Sequence, residues 1–155
     1  MYRRILVPVD GSDTAERGLD EALKLARDQQ ATVLLLHVVE EFVLVQSMDI
    51  GRVALDRLLD ELRESGRAIL AAAERKAAAA GVAFEGFIEE SASVRVADVV
   101  VRRARELGAD LIVLGTHGRR GLRRVVMGSD AEIVLRYTPV PVLMVRAGGP
   151  EPAPA

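Results

Sequence analysis

The chain has 155 residues and a formal net charge of −2; half of its residues are hydrophobic, 3% aromatic and 28% charged. That length suits one compact domain with its own core, and the slightly acidic balance argues against a general nucleic-acid binder. The absence of cysteine excludes disulfides, thiolate catalysis and cysteine-ligated zinc.

The N-terminal stretch MYRRILVPVDGSD carries two arginines, but its apolar run is too short for a secretory signal. No apolar stretch reaches the length of a membrane span. The expectation is a cytoplasmic protein without a membrane segment.

Ile5-Leu6-Val7-Pro8-Val9 is a continuous apolar run of the kind found in strands buried on both faces. It ends in Asp10-Gly11-Ser12-Asp13. Ala15, Leu19, Ala22, Leu23 and Ala26 then recur at helical spacing, with Ser12 or Asp13 placed to cap the helix and Glu16 in its first turn. Thr32 to Val39 reads as a second buried strand, followed by a loop from Glu40 to about Gly51. From there to Ala80 the chain is rich in helix-forming residues and stops at Gly81, which fits one long helix or two consecutive ones. Val82 to Glu89 alternates weakly, as a strand nearer a sheet edge does.

Val96, Val99, Val100, Ala104 and Leu107 mark a further helix that stops at Gly108. Leu111 to Leu114 forms a fourth strand and leads into GTHGRRGLRRVVMGSD, residues 115–130. Ser129 to Tyr137 forms a last helix, closed by Thr138-Pro139, and Val140 to Val145 a fifth strand. Residues 147–155, rich in Pro, Gly and Ala, read as a disordered tail. Strands alternating with helices imply right-handed βαβ units: a single open, doubly wound α/β domain over residues 1–146, with a mainly parallel sheet and helices on both faces.

Ligands of open α/β sheets bind beyond the carboxyl ends of the strands, where the strand order reverses. Two strand ends carry unusual loops, at Asp10 to Asp13 and at Gly115 to Gly118. Glycines let backbone approach a phosphate, successive N–H groups form an anion nest, and Gly128-Ser129 opens a helix whose free N–H groups favour negative charge. Ser129 and Glu132 also have the spacing of a capping box, a role compatible with holding phosphate. Asp10 either turns the chain or faces the ligand. His37, within an apolar run, reads as a packed strand-end residue. His117, Arg119, Arg120, Arg123 and Arg124 either meet phosphate or form a solvated face. P-loop, dinucleotide-fingerprint, kinase, hydrolase and zinc-protease motifs are absent.

The pattern Gly115-x2-Gly118-x9-Gly128-Ser129 resembles the nucleotide-binding motif of the universal stress protein family, in its ATP-binding branch. Arg4 to Ser12, Leu35 to Val39, Ala109 to Gly115 and Pro139 to Val145 resemble the family's first, second, fourth and closing strands. The resemblance implies a five-stranded sheet of order 3-2-1-4-5 and an ATP-binding stress-response regulator that binds ATP, with Mg²⁺. It places Asp10 against the ribose and adenine edge, Pro8 and Val9 in the base pocket, and the Val38 backbone on adenine. Gly115 and Gly118 would approach ribose and phosphates, and Gly128 and Ser129 would hold the terminal phosphates. Thr116, His117, Arg119 and Asp130 complete the expected nucleotide-binding set. Asp130 departs from the small apolar residue usual there, and a carboxylate beside a triphosphate repels it unless Mg²⁺ intervenes. The family also implies a homodimer through the edge strand Val140 to Val145. Two other readings share this site: a slow ATPase, for which no base-and-orienter pair is recognisable, and a dimeric interaction module with an empty pocket.

Overall fold

The computed structural model describes residues 1–40, 52–91, 94–116 and 129–146. Five strands, β1 (Arg4–Pro8), β2 (Thr32–Glu40), β3 (Phe84–Ser91), β4 (Leu111–Thr116) and β5 (Val142–Arg146), alternate with four described helices. The helices are α1 (Asp13–Gln29), α2 (Arg52–Ala79), α3 (Val96–Glu106) and α4 (Ser129–Tyr137). The sheet has the order β3-β2-β1-β4-β5, and every pairing is parallel. This is the expected doubly wound architecture. β1 lies between β2 and β4, with Pro8 opposite Leu36 and Ile5 opposite Leu111, so the order reverses between β1 and β4.

Side chains that alternate along a strand face opposite layers, and here both layers are apolar. Ile5, Val7, Val33, Leu35, Leu111 and Val113 pack with Leu19 and Leu23 of α1 and Leu70, Ala73 and Ala77 of α2. Leu6, Leu34, Leu36, Ile112 and Leu114 pack on the other side with Ala97, Val100 and Ala104 of α3 and Val134 of α4. The pairing of β1 with β4 is pinned at its start by Asp110, whose carboxylate accepts from the backbone N–H of Arg3 at 2.8 Å and of Arg4 at 3.1 Å.

Ser12 caps α1 by accepting from Ala15 N–H at 3.2 Å. The helix ends at Gln30 in the left-handed conformation, φ 55°. α2 is one helix across the region where one or two were expected. Lys76 ties α2 to α1 through Glu16 at 2.7 Å and Asp20 at 2.8 Å.

Two strand boundaries differ from the expectation, each for a backbone reason. β5 starts at Val142 rather than Val140. Pro141 has no N–H to donate to a ladder, although its carbonyl accepts from Ile112 at 3.0 Å. β3 starts at Phe84 rather than Val82, because Val82 N–H is spent on Ala77 O at the end of α2, at 3.1 Å. β3 is an edge strand covered by charge: Glu85 meets Arg4 at 3.1 Å, and Glu89 pairs with Arg102 and Arg103. Such charges oppose strand addition at an edge.

Candidate functional site

The reversal between β1 and β4 opens a cavity of about 460 Å³, within the range of about 300–1,000 Å³ usual for small-ligand sites. Its floor comes from the ends of two neighbouring strands, Pro8 closing β1 with Val9 and Asp10 after it, and Leu114 and Gly115 in β4. Leu36, Val38 and Glu40 of β2, each two residues apart and therefore on one face, form one wall. Val96, Ala97 and Val100 of α3 face them, and Asp130, Ala131 and Val134 of α4 close the remaining side. Ser12, Thr14 and Ala15 bring the first turn of α1 to the rim.

Polar groups sit at strand ends (Asp10, Glu40) and at helix starts (Ser12, Thr14, Asp130), and the rest of the lining is apolar, an arrangement suited to a flat apolar group with a polar appendage. The Asp10 carboxylate accepts from Ser12 N–H at 2.9 Å, so Asp10 does turn the chain. The same residue lines the cavity, and the two roles coexist. Val9 is held on both sides: its N–H donates to Leu36 O at 2.9 Å, and its carbonyl accepts from His37 Nδ1 at 2.7 Å. His37 is buried and packed, as expected. Asp130 is exposed at the start of α4, and Glu132 pairs with Arg136 one turn on, at 3.3 Å.

The structure therefore brings together Pro8, Val9, Asp10, Val38, Gly115 and Asp130 of the expected set. Thr116 and Ser129 are described as the last residue of β4 and the first of α4. His117, Gly118, Arg119, Arg120, Arg123, Arg124 and Gly128 lie outside the described residues. Sequence reasoning missed the apolar walls, Leu36 on β2 and Val96, Ala97 and Val100 on α3. Their period-2 and i, i+4 spacing was the available signal, but it reads equally as core.

Gly115 serves the packing as well as the cavity. A Cβ on Gly115 would meet the first turn of α1, so α1 crosses β4 at backbone distance. Among the described residues no group of three or more acidic or imidazole side chains is placed to hold a metal. Asp10, Glu40 and Asp130 supply isolated carboxylates on the lining. That donor set fits Mg²⁺ carried in largely by ligand phosphates, which takes one or two protein carboxylates at most. No described helix is long and apolar enough to cross a membrane.

The universal stress protein family model matches residues 1–146. Universal stress protein YxiE of Bacillus subtilis is 36% identical over 151 residues, covering 94% of this chain and all of its own. A crystal structure of a family protein from Burkholderia pseudomallei is 38% identical with a TM-score of 0.76, covering 94% of this chain and 97% of the other. The universal stress protein of Archaeoglobus fulgidus, solved in complex with dAMP, is 26% identical with a TM-score of 0.66, covering 92% and 97%. With the strand order, the cavity at its reversal and a family match over the whole described fold, the chain belongs to the universal stress protein family.

Proposed function

We propose that this chain is an adenine-nucleotide-binding regulatory protein of the stress response, and that its nucleotide is ATP with Mg²⁺. The observation that carries the reading is the cavity at the β1–β4 reversal, largely apolar, with polar groups at strand ends and helix starts. The adenine ring fits between Val38 and Val100, with Pro8 and Val9 beneath it, and the Val38 backbone is its hydrogen-bonding partner. Asp10 takes the ribose. Gly115, Thr116, His117, Gly118, Arg119, Gly128 and Ser129 form the phosphate side, where glycine backbone and a helix N-terminus suit anions. The dAMP complex of the Archaeoglobus fulgidus relative supports the class of ligand.

Binding rather than hydrolysis is the proposed activity. The described lining offers isolated carboxylates, with Asp10 accepting from Ser12 N–H, and the slow-ATPase reading would have to add to these a group that positions the attacking water. We further propose a cytoplasmic homodimer through β5, the edge strand beside β4 among the described strands, with Leu143 and nearby Tyr137 exposed.

Calorimetric titration of nucleotide-free protein with Mg²⁺–ATP and with AMP, beside a Gly118→Val variant, tests the reading. Micromolar binding by the parent, lost or much weakened in the variant, is expected. Absence of binding by the parent would leave the dimeric interaction module as the better account. Sedimentation equilibrium of the parent and of Leu143→Lys tests the dimer, which the lysine should disperse.

A further inference from the structure

Val9 follows the last β1–β2 pair, Pro8 with Leu36, and its N–H still donates to Leu36 O at 2.9 Å, so the Val9–Asp10 peptide is the first beyond the ladder. A peptide at that point is free to rotate unless something outside the ladder holds it. His37 does so: its Nδ1–H donates to the Val9 carbonyl at 2.7 Å, and the residue is 8% exposed. The peptide is trans, so its N–H, which belongs to Asp10, points opposite to the carbonyl. The ring itself sits against α2 at Gly66, where a Cβ would lie 2.8 Å from His37 Cδ2 and 2.9 Å from Nε2. Val38, the next residue, faces the other side of the sheet and lines the cavity.

Given the nucleotide reading on which this rests, we infer that His37 is a positioning residue for the site, holding the Val9–Asp10 peptide so that Asp10 N–H faces the ligand. It holds the Val9 carbonyl on the α2 side and thereby turns Asp10 N–H toward the cavity side, as a donor for a ligand oxygen or ring nitrogen. Gly66 sets the depth at which the ring sits. The α2 face of the sheet is thus coupled to a pocket on the opposite face through one imidazole. A histidine that only fills space would need its volume and not its donor, and that difference is measurable.

The test compares His37→Asn, which keeps an N–H donor near the Nδ1 position, with His37→Leu, which keeps apolar volume without a donor. AMP is titrated calorimetrically at a temperature where every variant is fully folded. His37→Asn should bind within about threefold of the parent, and His37→Leu should raise Kd about tenfold or more, as expected for a lost buried hydrogen bond. Gly66→Ala should weaken AMP binding in the parent, and weaken it less in the His37→Asn background, where the ring it presses on is gone. Equal affinity of His37→Leu and the parent, or equal losses in both His37 variants, would overturn the assignment. Should the parent bind neither AMP nor Mg²⁺–ATP, the nucleotide reading fails, and amide exchange at Asp10 still reads the positioning. Faster exchange in His37→Leu than in His37→Asn supports it, and identical exchange overturns it.

Discussion

No side chain fits between Gly115 at the end of β4 and Thr14 in the first turn of α1: a Cβ on Gly115 would lie 1.9 Å from the Thr14 carbonyl oxygen. Gly18, one turn further along α1, would bring its own Cβ within 3.0 Å of Gly115 N. The obstacle is backbone and not a flexible side chain, so α1 must move as a body to admit a methyl group. Gly115→Ala should cost about 3 kcal/mol or more, at the upper end of overpacking losses, and lower the melting temperature by about 10 °C. Thermal denaturation followed by circular dichroism checks this. A melt within about 2 °C of the parent would show that the approach is looser than described.

Gln30 closes α1 with φ 55° and ψ 40°, donating its N–H to Ala26 O. A side chain in the left-handed region costs about 1–2 kcal/mol relative to the right-handed one, and glycine is the residue helix ends usually place there. Gln30→Gly should therefore stabilise the protein by about 1 kcal/mol, net of the entropy glycine loses on folding. Urea denaturation should show a higher midpoint with an unchanged slope; a fall in midpoint would contradict the assignment of strain to this position.

Lys76 sits between Glu16 and Asp20 of α1. Partial burial alone would lower its pKa, but hydrogen bonds to Asp20 and Glu16 outweigh that and raise it above the ordinary lysine value. A raised lysine stabilises the fold fully below its unfolded pKa and loses that contribution as pH rises through the folded one. The tie is therefore complete at neutral pH and fades only in strong alkali. The side chain is a third exposed, so Lys76→Met should cost no more than about 0.5–1 kcal/mol at low salt. Denaturation at two ionic strengths should find the difference smaller at the higher one.

The fold was legible because its strands are apolar on both faces and its helices carry clear stripes. Ile5 to Val9 and Leu111 to Leu114 are continuous apolar runs, as strands buried on both faces are, and the strand order places them side by side. The polar half of the site was legible for a related reason. Asp10 and Gly115 interrupt apolar runs at strand ends, and such interruptions draw notice; Asp130 stood out only as a departure from the pattern that the family resemblance implies. The apolar half was not. Val100 of α3 lines the cavity and is yet as buried as Val99, its neighbour in sequence, which does not line it, and no periodicity separates the two. His37 shows the same limit: its burial could be read from its neighbours, but its hydrogen bond to Val9 joins residues 28 apart in the chain. Gly115 had a visible signal with two causes, since a glycine at a strand end does not say whether a ligand or another helix needs the space.

Asp130 stands where two electrostatic demands conflict. In the first turn of α4 a carboxylate is favoured by the free N–H groups, by about 0.3–1 kcal/mol at an exposed position. At the cavity lining the same charge opposes the phosphates of the proposed ligand, by about 1 kcal/mol per unit charge at 4 Å in water. Asp130→Val should accordingly lower stability by about 0.5 kcal/mol while tightening ATP without Mg²⁺ by about fivefold. Adenosine, which carries no phosphate, should bind both proteins alike, and AMP should fall between. With Mg²⁺ present the gain for ATP should shrink, because the cation offsets the repulsion that the valine removes. Titrations of adenosine, AMP and ATP, the last with chelator and with Mg²⁺, separate charge from shape. An equal gain for adenosine and ATP would mean that the valine acts by packing in the cavity, and that the Asp130 charge does not face the phosphates at all.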